Sequence, residues 1–199
     1  MRSSLQLGAA LLWAALGVYG QDRPDKVFLL EDGDKHEWCA YTDHQRWETE
    51  REARNWVSVG AVDFDKGKVI RVFLTVPADS GEWVVSDQYA VNDSSVIETV
   101  TRYVDHTKGG FFEKSVYFVE ETQAVLISRD YKTPDETDLP KDPDAKQSET
   151  SHTYRGHVLP DLKVWLHLMD FPFSEFLQND HTEVWRTGRT CSASERQER

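Results

Sequence analysis

The chain has little cysteine, little positive charge and no long hydrophobic run after its first residues. Only two of its 199 residues are cysteine. Two thiols without a C-x-x-C spacing make neither a structural zinc site nor a dithiol redox centre. Lys and Arg number 23 against 35 Asp and Glu, for a formal net charge of −12. With no basic stripe to neutralise phosphates, nucleic acid is excluded as a partner, and anionic membrane surfaces by the same reasoning. H-E-x-x-H, G-x-S-x-G, Walker-type and complete EF-hand spacings are all missing. Asp32-Gly33-Asp34 and Asp63-Phe64-Asp65 look like fragments of calcium loops, but both fall at expected turns, where Asp and Gly are ordinary. The sequence therefore assigns no catalytic residue, no metal ligand and no cofactor.

The single apolar run, Leu5 to Val18, follows Arg2 and ends in small and aliphatic residues, as a signal peptide does. At about fourteen residues it is short of the roughly twenty that span a bilayer. Residues 1–20 are expected to be a cleaved signal peptide, with the mature chain starting at Gln21. The protein is then secreted or periplasmic, without membrane insertion after cleavage. Residues 21–199 are expected to form one β-rich domain. Mean hydropathy is low, −0.62, yet 12% of residues are aromatic, which a disordered chain lacks. In an oxidising compartment Cys39 and Cys191 are expected to form a disulfide that closes almost the whole domain.

Beyond these bounds the strongest signal is a rhythm of turns about fourteen residues apart. They are Asp65-Lys66-Gly67, Pro77 to Gly81, Asn92 to Ser95, Asp105 to Gly110, and Glu120 to Gln123. Between them lie alternating, β-branched and aromatic segments: Lys68–Val76, Glu82–Ala90, Val96–Val104, Phe111–Val119 and Ala124–Lys132. Asn55–Asp63 precedes them, and Lys26–Leu30 and Glu37–Tyr41 are short strands flanking a turn. Asp43–Asn55 reads as a short exposed helix. The fold class is mainly β, a long-stranded antiparallel up-and-down meander. Neither face of these strands is purely polar, so a strongly curled or barrel-like sheet, or one covered by a second layer, is expected.

Residues 133–153 carry three prolines among polar residues and are expected to be a mobile loop. In His157–Gln178 a strand is expected up to Met169. A short C-terminal helix then opens at Pro172 and holds Phe173, Phe176 and Leu177. Thr182–Arg186 is expected to be a last strand, with Ser192–Arg199 a frayed tail.

Function is less legible. The histidines are scattered, with no i,i+2 or i,i+4 pair to hold a metal. Carboxylates are plentiful, so pairing carries little weight; Asp87 and Glu98 fall on adjacent expected strands and could face a cavity. The better lead is aromatic. Trp83, Tyr89, Tyr103, Tyr117 and Tyr131, with Arg102 and Arg129 among them, are candidates for a ligand surface on the concave face. Phe118 and Arg71 recur in the same pattern. The leading expectation is an exported non-catalytic β-domain that binds a small apolar or glycan ligand, or a protein partner. A hydrolase built from scattered Asp, Glu and His is one alternative. A structural envelope or matrix protein that pairs through its sheet edges is another. In export, size and hairpin order the chain resembles a lipocalin barrel, but the Gly-x-Trp that opens lipocalin chains is missing. Asn92-Asp93-Ser94 is an N-glycosylation sequon in a turn, consequential for a chain exported through the endoplasmic reticulum.

Overall fold

The computed structural model describes residues 25–193, except 36, 54–55, 79–80, 107, 136, 143–145, 149–150, 161 and 178–187. The expected signal peptide and the strand at Thr182–Arg186 lie outside the described residues. Of the frayed tail expected at Ser192–Arg199, Ser192 and Ala193 instead pair with Trp38 and Glu37 in the strand Arg189–Ala193, and 194–199 lie outside the described residues.

Among the described residues there are twelve strands: β1 (Lys26–Asp32), β2 (Glu37–Tyr41), β3 (Trp56–Asp65), β4 (Lys68–Pro77), β5 (Val84–Val91) and β6 (Ile97–His106) in the first half, then β7 (Phe111–Val119), β8 (Ala124–Lys132), β9 (Asp138–Leu139), β10 (Ser151–Tyr154), β11 (His157–Pro160) and β12 (Arg189–Ala193). Ten form one antiparallel sheet in the order β12-β2-β1-β3-β4-β5-β6-β7-β8-β9, so the meander expected from the turn rhythm is present. The two ends of that order do not pair, and the sheet does not close into a barrel. Cys191 pairs with Cys39 in the β12–β2 register and is disulfide-bonded to it, which is consistent with an exported protein.

Both faces are apolar because each is covered by different parts of the chain. On the outer face, α1 (His44–Ala53) packs at the β1–β2 end. Asp43 caps it, its Oδ1 accepting from the backbone N–H of Gln45 at 2.8 Å and Arg46 at 3.2 Å. Only Trp47 of the helix is buried; its indole Nε1 donates to the Leu29 carbonyl at 3.2 Å, over Leu30, Cys39 and Tyr41. On the inner face, residues 162–177 form a strap. Phe171, Phe173, Phe176 and Leu177 pack there on Leu29, Trp38, Val62, Val72, Tyr89 and Val100. The β10–β11 hairpin covers the far end of the same face with Tyr154 and Leu159, against Val85, Val104, Phe111 and Tyr131.

The structure corrects four boundaries. The strand after His157 stops at Pro160, and 162–166 runs without a ladder partner, because the strap crosses a sheet face and meets no strand edge. The expected helix at Pro172 is a single 3-10 turn, Ser174–Leu177, preceded by another at Leu168–Asp170. The expected loop at 133–153 contains β9, a bridge from Gln147 to His152 and the start of β10. A register shift between Asp63 and Phe64 turns Val69 inward and leaves Ile70 exposed, the reverse of simple alternation.

Candidate functional site

Two places on the inner side carry chemistry. The first is a row of polar residues crossing four strands. The Cα register runs Asp87 to Arg102 to Ser115 to Arg129 over β5, β6, β7 and β8. Valine and tyrosine rows lie on either side, so the polar row separates the two apolar clusters.

Each charge in the row is matched. Arg102 Nε donates to Asp87 Oδ1 at 2.8 Å and Nη2 to Oδ2 at 2.7 Å, a bidentate pair with both side chains buried. Its Nη1 donates to the Leu162 carbonyl at 2.5 Å, which fastens the strap to the sheet. Tyr89 OH donates to Asp87 Oδ2 at 3.1 Å. Burial lowers the Arg102 pKa, but Asp87 more than offsets this and the guanidinium stays charged. Burial, then the Asp87 charge, raises the Tyr89 phenol.

Glu113, one residue pair along β7, is 1% exposed. It accepts from Ser115 Oγ at 2.6 Å, lies 3.2 Å from Arg129 Nε and contacts His152 Nε2 on the hairpin. Arg129 Nε also reaches Ser115 Oγ at 3.2 Å. Burial, then Glu113, raises the Tyr131 phenol, and the Tyr131 ring stacks on Tyr154 with centroids 3.6 Å apart. Chemically this is a carboxylate-centred lattice. Within it the Ser115 hydroxyl donates to Glu113 Oε1, and the His152 imidazole meets the same carboxylate through Oε2. Its evident work is to hold hairpin and strap on the sheet.

The second place is a half-open groove of about 400 Å³ where the β5–β6 turn meets the strap. Ile97, Leu166, Leu168 and Leu177 form its wall, with Ser95 and His167 as polar neighbours. Val96 and Met169 stand at its mouth, 52% and 61% exposed.

The aromatic and arginine candidates divide between the faces. Tyr89, Arg102, Tyr117, Arg129 and Tyr131 are brought together on the inner face, beneath strap and hairpin. Trp83 packs at the rim of the second cluster. Tyr103 and Phe118 are exposed, Tyr103 beside Lys114 on the outer face. Asp87 and Glu98 do not meet: Glu98 is exposed and accepts from Asn92, because the β5–β6 register gives Asp87 to Arg102 instead. His36 and His181 lie outside the described residues, and no group of three His, Cys, Asp or Glu among the described residues is placed to hold a metal.

Sequence reasoning missed Glu113 and Ser115, met His152 and His167 only among the scattered histidines, and did not bring the groove residues together. A signal existed for Glu113, since it alternates in phase with Phe111, Tyr117 and Val119, and a charge in phase with an apolar face is a buried charge. The groove had none, because its two walls are some seventy residues apart in the chain. Comparison with known proteins finds no matching family, no matching curated protein and no matching solved structure.

Proposed function

We propose that the chain is an exported, non-catalytic β-domain, strongly curled around its strap, that binds a small apolar ligand in the groove between the β5–β6 turn and residues 166–169. The observation that carries this reading is the groove itself. Its volume of about 400 Å³ falls in the range of small-molecule sites. Its lining combines the aliphatic side chains of Ile97, Leu166, Leu168 and Leu177 with a nearly equal share of polar surface, and it keeps Val96 and Met169 half in water, where a ligand would cover them. The buried acids support a scaffold role for the rest of the inner face, since Asp87 and Glu113 are engaged by guanidinium, hydroxyl and imidazole groups. Titration with long-chain fatty acids, sterols and retinoids, read by quenching of Trp165 on the strap, tests the reading. Saturable quenching by one class supports it, and a flat response to all three counts against it.

A second reading, a protein partner, draws on β8. Among the described residues, β8 pairs with β9 only at Tyr131 and Lys132, which leaves 124–130 as an edge. Val125, Leu126 and Ile127 are exposed on it. An extended partner strand fits such an edge, although the bulge at Ile127 blunts it. Mass by light scattering that rises with concentration and falls back in Ile127→Lys would favour this reading over the first.

A further inference from the structure

We propose that Asn92 is an acceptor for an N-linked glycan, carried at the rim of the groove. The proposal rests on the export half of the reading above and not on the ligand. Asn92-Asp93-Ser94 is the only Asn-x-Ser/Thr in the chain. A sequon is usable only where it lies on an accessible loop, and the structure gives this one a defined place. Asp93, Ser94, Ser95 and Val96 are all exposed in the turn between β5 and β6.

The side-chain geometry fits the modification. Asn92 Oδ1 accepts from the backbone N–H of Ser94 at 2.9 Å and of Val96 at 3.1 Å. That is an Asx turn, which fixes the carboxamide and turns Nδ2 away from the backbone. Nδ2 donates to Glu98 Oε1 at 3.0 Å. An amide nitrogen carries two hydrogens, so one remains on Nδ2 when the other is replaced by a sugar. Ser94 contributes its backbone N–H to the turn, and its hydroxyl takes no part in these bonds. Lys68 Nζ donates to the Asp93 carbonyl at 3.1 Å, on the side of the turn that faces the neighbouring hairpin. The half-exposed Asn92 therefore keeps both bonds of the Asx turn with a sugar on Nδ2, since its Oδ1 alone accepts them.

The donor is a lipid-pyrophosphate-linked oligosaccharide of the endoplasmic reticulum membrane. Asn92 Nδ2 bonds to the anomeric carbon, the bond from that carbon to the pyrophosphate oxygen breaks, the lipid pyrophosphate leaves with the electron pair, and one Nδ2 proton passes to a base. Because the same turn supplies Ser95 and Val96 to the groove, the sugar stands beside its mouth.

Translation of the full chain in the presence of microsomes tests this, with protease protection reporting entry and amidase deglycosylation reporting the sugar. The expected result is a protected chain one glycan heavier, which Ser94→Ala abolishes and Ser94→Thr retains. Ser94→Ala leaves the Asx turn intact, so its loss of the glycan is not a loss of fold. A protected chain with no glycan overturns the assignment and leaves export standing. A chain open to protease overturns both.

Discussion

Arg102 and Asp87 face each other across β5 and β6 in a bidentate ion pair, both nearly sealed from solvent, and the third donor of the same guanidinium holds the strap through the Leu162 carbonyl. Removing one partner of such a pair strands a buried charge, whereas removing both does not. Arg102→Leu is expected to cost about 3–5 kcal/mol of unfolding free energy. The double variant Asp87→Leu/Arg102→Leu is expected to recover most of it. Urea unfolding of the three proteins measures this, and a single-variant loss below about 1 kcal/mol, the value of an exposed pair, contradicts a buried pair.

Gly60 in β3 lies so close to β4 that a Cβ would stand 2.9 Å from the Phe73 carbonyl and 3.4 Å from Leu29. Backbone cannot yield as a side chain can, so Gly60→Ala is expected to destabilise by about 1–3 kcal/mol in spite of removing a flexible residue. The denaturation midpoint measures it, and an unchanged midpoint refutes the close approach.

His106 on β6 is buried beside His157 of the hairpin, ring centroids 4.4 Å apart, and its Nδ1 accepts from the Gly109 N–H at 2.8 Å. Burial first, then His157, holds the His106 pKa below its ordinary 6.5; Lys108 adds to this and Glu82 opposes it. The unfolded chain therefore takes up this proton at a higher pH than the folded one. The stability it contributes is complete above pH 6.5 and is lost as pH falls through the lower, folded value. His106→Asn keeps an acceptor for Gly109 and removes the titration. It is expected to flatten the fall of thermal stability below pH 6.5, and an identical slope in both proteins shows that the loss comes from elsewhere.

The disulfide joins residues 152 positions apart. Closing so long a loop is worth about 5 kcal/mol in the chain-entropy account. Cys39→Ser/Cys191→Ser is expected to lower stability by up to that amount, and the loss should be reproduced in the native chain by a reductant. A reductant-insensitive midpoint shows that the β2–β12 ladder holds the ends together without the bond.

The strands were legible because their information is local. The turns at Lys66-Gly67 and Asn92 to Ser95, and the alternation around Val85, Val100 and Tyr117, each declare themselves within ten residues. The shifts at Ile70 and Ile127 were not, since a bulge is decided by pairing with the neighbouring strand. The strap was misread for a related reason. Leu162, Val164 and Leu166 alternate as a strand would, and only the sheet face beneath them leaves that segment without a ladder partner. Glu113 could have been found from its phase along β7, whereas its partner His152 sits on a hairpin whose position depends on the whole sheet.

A titration followed by backbone amide NMR tests the ligand reading most directly, using whichever apolar ligand quenches Trp165. Shifts confined to Ser95–Ile97, residues 166–169 and Leu177, and abolished in Leu168→Arg, are the expected result. Shifts along β8 with a silent groove, or a full response retained in Leu168→Arg, contradict it.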